Sequence, residues 1–282
     1  MQKTLLFFIF ILFTLHVHGQ KNGIIGFGIS GGAVNYKGDL DYDLSLKFTK
    51  PGVGIHFLLL PYSKFNFSLN YFHGKIACDD SKADDPNKYR NLNFYSNIDE
   101  LSLITIYRFQ DKTKSFSTRQ NLIPYIFGGI ALYHFNPKTK LNGIEYELEK
   151  IGTEGQHLDK SNQAYPKPYK LTQISFPFGG GIKYKISSAI DLGLELGLRK
   201  TLTDYLDDLS GSYPDKTELL KEEGDIAVYL SDPSNDPKHP NGRSSFSNRG
   251  YSKKKDWYTY SNINFTYYIV SKIYKSKQRY VF

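Results

Sequence analysis

The chain reads as an all-β protein: a transmembrane antiparallel β-barrel of about eight strands behind an N-terminal signal peptide. Three observations lead there. Segments of period-two apolar–polar alternation recur along the sequence, and helix-period apolar runs are nearly absent. Long and short connections alternate between those segments, as they do in outer-membrane barrels. An apolar leader opens the chain, yet no later stretch is long and apolar enough to cross a bilayer as a helix.

The leader carries one charge, Lys3, in its first twenty residues, followed by an apolar run over 5–15 and by Val17, His18 and Gly19 before Gln20. The apolar run is too short to span a membrane, which takes about 20 residues. The order of charge, apolar stretch and small residues is that of a secretory signal peptide, residues 1–19. No Cys stands at the cleavage point, so lipid attachment there is not expected. A mean hydropathy of −0.44 with 16% aromatic residues suits strands that are apolar on one face only. The net charge of +8 falls to +7 when Lys3 leaves with the leader. It gathers at Lys253, Lys254 and Lys255 and in a basic tail, residues 271–282, bearing Lys272, Lys275, Lys277 and Arg279. An exported chain excludes nucleic acid as a natural partner; a membrane surface or an acidic protein fits better.

Eight strands follow in order between residues 20 and 270. The first, 23–35, places Ile25, Phe27, Ile29 and Ala33 opposite Gly26, Gly28, Ser30 and Gly32. The second, 51–60, aligns Val53, Ile55, Phe57 and Leu59; in the third, 64–76, Phe65, Phe67, Leu69 and Tyr71 alternate with Asn66, Ser68 and Asn70. The fourth, 94–109, sets Leu101, Leu103, Tyr107 and Phe109 against Glu100, Ser102 and Arg108; the fifth covers 122–135. The sixth, 170–186, opposes Ile174, Phe176, Phe178, Ile182 and Tyr184 to Gln173, Ser175, Lys183 and Lys185. The seventh, 190–200, opposes four leucines to Asp191, Gly193, Glu195, Gly197 and Arg199, and the eighth, 256–270, begins near Trp257.

Long connections at 36–50, 77–93, 136–169 and 201–255 alternate with shorter ones at 61–63, 110–121 and 187–189. Short turns belong in the periplasm and long loops outside, which puts both termini and the basic tail in the periplasm. A three-residue turn between the sixth and seventh strands would set Lys185 opposite Asp191 and Lys183 diagonal to Glu195, giving luminal ion pairs. A one-residue slip would carry Lys185 to its partner's apolar face.

A soluble barrel could show the same alternation with the apolar face inside. The membrane orientation is favoured because the polar face is rich in Gly, Ser and Asn and poor in charge. Aromatics near strand ends would form interface girdles: Tyr62, Phe72, Tyr107, Tyr125, Tyr133, Phe135, Tyr169, Trp257 and Tyr258. The chain also ends in Phe282. About eight strands enclose an interior filled by their own side chains, so work should lie in loops, surface or tail.

Several runs resemble a known family across nearly the whole mature chain. They include Arg90-Asn91-Leu92-Asn93-Phe94, Pro124-Tyr125-Ile126-Phe127-Gly128-Gly129, His134-Phe135-Asn136-Pro137, Gly152-Thr153-Glu154-Gly155-Gln156 and Leu171-Thr172-Gln173. Arg199 through Asp208, ending in Tyr205-Leu206-Asp207-Asp208, is the most specific, and Lys255-Asp256-Trp257-Tyr258 closes the set. They resemble the Bacteroidetes outer-membrane β-barrel family that includes the PorG component of the type IX secretion system. The resemblance implies a barrel in the outer membrane, in contact with its lipid, that links periplasmic ring lipoproteins to that membrane. It supplies no catalytic residues.

Site chemistry is sparse. No HExxH, GxSxG or phosphate-binding loop is present, so neither an enzyme nor a cofactor is expected. His56, His73, His134, His157 and His239 lack metal-site spacing, and Cys78 is a lone free thiol. Asp39, Asp41 and Asp43, then Asp79, Asp80, Asp84 and Asp85, then the acidic cluster Asp204, Asp207 and Asp208 could offer oxygens to Ca²⁺. The EF-hand spacing is missing, and the expectation is solvated loop charge. The tail cations would dock an acidic periplasmic partner. The rival reading is a general small barrel acting as an envelope structure, adhesin or small-solute pore.

Overall fold

The computed structural model describes residues 24–60, 64–83, 87–110, 116–158 and 165–270. The signal peptide, Tyr62, the tail cations Lys272, Lys275, Lys277 and Arg279, and Phe282 lie outside the described residues. Ten strands form one antiparallel sheet: β1 (Ile24–Lys37), β2 (Lys50–Leu60), β3 (Phe65–Asp79), β4 (Asn93–Arg108), β5 (Leu122–Phe135), β6 (Lys138–Leu141), β7 (Ile144–Glu147), β8 (Thr172–Lys185), β9 (Ile190–Thr201) and β10 (Trp257–Val270). Each barrel strand pairs with its neighbour in chain order apart from the β6–β7 hairpin, β1 pairs with β10, and β3–β4 pairing completes the ring. The result is a closed eight-stranded barrel with no free edge of its own. The small β6–β7 hairpin hangs from β4 through the Tyr95–Lys138 pair.

Strict parity governs the wall. On β9, Leu192, Leu194, Leu196 and Leu198 point out while Asp191, Gly193, Gly197 and Arg199 are buried inside. Ile29, Ile55, Leu103, Ile130, Ile174 and Ile263 continue the same exposed belt around the barrel. Water would leave this contiguous apolar surface without compensation; hydrocarbon accepts it. The strands, of 11–16 residues, meet the ~9–11 residues a tilted crossing requires. Among the described residues no helix is long and apolar enough to cross a membrane.

The aromatic girdle departs from the sequence reading. Phe72, Tyr125, Tyr133, Phe135 and Tyr258 point into the barrel, and Tyr169 is buried in the loops above it. Only Tyr107 and Trp257 of the described set face outward. The cause is visible on β5, where both faces are apolar or aromatic, so type alone does not reveal the side. Outward aromatics come from Phe27, Phe65, Phe67, Tyr184 and Tyr267 instead.

The long connections are not simple loops. They hold the hairpin and three short helices, α1 (Leu148–Ile151), α2 (Lys216–Glu223) and α3 (Asp225–Ser231). Helix α2 starts where Asp215 accepts hydrogen bonds from the Thr217 and Glu218 amides, a cap that answers the unpaired first-turn donors. The hairpin, α1 and α3 pack on Tyr36, Phe94, Phe135 and Tyr258 at the long-loop rim of the barrel, extending one apolar core into a cap, and α2 packs beside them through Leu219 against Leu158, Tyr165 and Ala227.

Candidate functional site

Three layers stack along the barrel axis: a stopper at the short-turn end, a polar lumen, and a cap at the long-loop end. The stopper is built by the connection between β4 and β5. Arg119 reaches into the mouth, where it pairs with Asp191 at 2.6 Å and donates to the carbonyls of Phe116, Ser188 and Ser187. Its guanidinium lies 4.0 Å from the Phe116 ring centroid, and Phe116 meets Tyr268 edge-on at 5.0 Å. One fully buried cation therefore joins two turns and a strand across the opening.

Higher in the lumen, Arg199 meets Glu100 at 3.4 Å, and the Tyr258 hydroxyl donates to the same carboxylate at 2.6 Å. Arg199 also sits over the Phe72 and Tyr260 rings. Tyr125 donates to Glu195 at 2.8 Å, and His56 meets Thr266 at 3.0 Å. The β8–β9 register sets Lys185 opposite Asp191 and Lys183 opposite Gly193, diagonal to Glu195. The charges so aligned nevertheless take other partners. Asp191 pairs with Arg119, Lys185 donates to the Ser117 and Arg119 carbonyls, and Lys183 donates to Thr266 and Tyr268. The expected Lys185–Asp191 pair is thus replaced by bonds to a stopper whose fold the strand pattern did not reveal, and the expected Lys183–Glu195 pair by bonds to β10 and to Tyr125. A lumen cavity of about 620 Å³, part of it open to solvent, is lined by charged groups of both signs. It has room for water, not for a folded polypeptide.

The cap reverses another expectation. Asp204, Asp207 and Asp208 are buried, not solvated. Arg249 explains Asp208. Its guanidinium pairs with Glu154 at 3.2 Å and Asp208 at 3.5 Å, and its Nε donates to the Ser231 carbonyl. Glu154 also accepts from the Ser210 and Gly211 amides, and Asp208 accepts from the Tyr169 and Thr153 hydroxyls. A second bridge, Arg90 to Asp80 at 2.6 Å, reaches the Asp39 carbonyl and so ties the first loop to the second.

Asp39, Asp204, Asp207 and Asp256 form a buried nest of another kind. Among the described residues none of the four has a Lys, Arg or His within ion-pair distance. Neutral donors serve three of them: Tyr42 and the Tyr251 amide for Asp39, Tyr36 and the Leu209 amide for Asp207, and the Leu206 amide for Asp256. Neither Asp204 oxygen has a hydrogen-bond partner. Gly38 allows this closeness, because a Cβ there would lie 2.1 Å from both the Asp256 carboxylate and the Tyr36 hydroxyl. Among the described residues no three His, Cys, Asp or Glu side chains are placed to share a metal ion.

Burial, reinforced by repulsion from neighbouring carboxylates, raises Asp204, Asp207 and Asp256. Asp204 is pushed up to about 7, with the Asp39 charge adding to burial, and Asp207 and Asp256 are pushed well above the usual carboxylate range. Asp208 is raised to about 6 by burial despite Arg249. A raised folded-state value means that the folded cap binds protons more tightly than the unfolded loop, whose carboxyls titrate near ~3.9. That stabilisation is complete below about pH 4 and is lost as pH rises through 7 and beyond. Protection of residues 202–256 from protease or hydrogen exchange should therefore fall from pH 5 to pH 9 at constant salt. Asp204→Asn should flatten the slope; protection that rises with pH would contradict this assignment.

A family model described as a domain of unknown function (DUF6089) matches residues 3–223. The chain belongs to that family. The matched stretch ends within α2, before β10. No curated protein matches. Among solved structures, the chain is similar to Neisserial surface protein A (NspA), with 9% identity, a TM-score of 0.43, and coverage of 88% of this chain and 99% of that one. It is also similar to Ail, the attachment invasion locus protein of Yersinia pestis, at 6% identity and a TM-score of 0.41, covering 88% and 99%. The outer membrane protein OprG from Pseudomonas aeruginosa shows 10% identity and a TM-score of 0.39, covering 89% and 97%.

Proposed function

We propose that this barrel is an integral outer-membrane protein, exported through a cleaved signal peptide, that acts as an accessory anchor of a type IX protein secretion system by tethering periplasmic ring lipoproteins to the membrane. The observation that carries the reading is the closed lumen. Arg119 and Phe116 stop one mouth and the cap covers the other, so the molecule works by what its ends hold. The family resemblance supplies the identity of the held partner, and the basic tail, Lys272 to Arg279, supplies the periplasmic handle.

One observation favours a second reading. Among the described residues most of the chain outside the barrel lies in the cap, which suits a surface-facing role such as adhesion. Affinity isolation of the full chain from its own membranes in mild detergent separates the two. The anchor reading expects ring lipoproteins in the eluate and their loss on deleting residues 272–282. Recovery without any secretion component, or porin-sized conductance in planar bilayers, would overturn it.

A further inference from the structure

Two exposed lysines flank a tryptophan on one part of the barrel rim at the long-loop end. Lys37 ends β1, Trp257 begins β10 and Lys200 lies one residue from the end of β9; the three stand in direct register, Lys37 opposite Trp257 and Trp257 opposite Lys200. All three face outward. Both lysines are exposed, Lys200 Nζ lies 5.5 Å from the Trp257 ring centroid, and Trp257 meets the outward Phe178 edge-on at 5.9 Å. The Lys253–Lys255 run, just ahead of Trp257 in sequence, is exposed throughout. Among the described residues no carboxylate lies within ion-pair distance of Lys37, Lys200 or Lys253. Asp39, Asp204 and Asp256, the acids nearest them in sequence, are buried, and Asp256 accepts from the Leu206 amide.

We infer that this Lys37–Trp257–Lys200 face binds the phosphate headgroup of an anionic lipid in the outer leaflet. The inference rests on the membrane-spanning reading of the barrel. The face looks sideways, continuous with the apolar belt at Leu198 and Leu196 directly below. An occupant must touch hydrocarbon and carry negative charge at once, which a lipid does and a soluble acidic protein does not. Lysine stems lie along the wall while their ammonium groups reach the headgroup level, and the indole marks that level between them.

Trp257 is the chain's sole tryptophan, so its fluorescence reports on this face alone. The full chain is refolded into phosphatidylcholine vesicles containing brominated phosphatidylglycerol or, at equal mole fraction, brominated phosphatidylcholine. Half-quenching is expected at about fivefold lower mole fraction of the anionic lipid. The preference should shrink at high salt and vanish in the Lys37→Gln, Lys200→Gln double variant. Equal quenching by both lipids in a barrel that has folded, judged by heat-modifiable gel mobility, would overturn the lipid site and leave the membrane reading intact. Failure to fold into either vesicle would overturn both.

Discussion

Arg249→Ala is expected to release the external cap while leaving the barrel closed. Arg249 is the single cation between Glu154 and Asp208, and all three are buried. Removing one partner of a buried ion network leaves the others uncompensated, at a cost of about 3–5 kcal/mol. Here the cost falls on the joint between two loops, because Glu154 belongs to the β5–β8 connection while Asp208 and Arg249 belong to the β9–β10 connection. Limited proteolysis should therefore cut within 202–256 in the variant but not in the parent, with heat-modifiable mobility retained. Arg249→Lys should be intermediate, since one ammonium cannot serve Glu154, Asp208 and the Ser231 carbonyl together. A cap that resists protease equally in all three proteins would show that packing of Leu206, Leu209 and Leu230 holds it without the arginine.

Leu196→Arg tests the outer wall. Leu196 is 63% exposed, in the middle of β9 and of the apolar belt. An arginine at the bilayer midplane of a barrel costs about 2–4 kcal/mol, whereas at a water-facing position a substitution stays within about ±0.5 kcal/mol. Reversible urea unfolding in lipid vesicles, followed through Trp257, measures the difference. The account expects a loss in the first range, and a far smaller one for Leu196→Gln. A neutral Leu196→Arg would place this surface in water.

These two predictions mark where the sequence was readable and where it was not. The β9 strand is legible because from Asp191 to Arg199 every second residue is leucine and every intervening one is glycine or charged, so period and side are both evident. β5 ended where its pattern said, at Leu122 and Phe135, but its aromatics were placed on the wrong side because neither face is polar. Helix α2 carried a local signal, Asp215 three residues before Glu218, hidden inside a long connection. The carboxylate nest had no local signal at all. Asp39, Asp204 and Asp256 come from three separate stretches of chain, and their burial exists only once the loops pack on the barrel rim. The Lys185–Asp191 register could be derived from turn length, but the arginine that takes Asp191 arrives from another turn, beyond the reach of pairwise strand logic.

Everything above requires a closed barrel with lipid outside and a plugged polar interior. The most direct measurement is spin-label accessibility along β9, one label at a time from 190 to 201, in vesicles. The native Cys78 is buried and is first replaced by alanine. Collisions with oxygen should peak at 192, 194, 196 and 198, with collisions with a water-soluble nickel chelate low at those positions. High nickel-chelate accessibility at 194 and 196, or no two-residue periodicity along the strand, would contradict it.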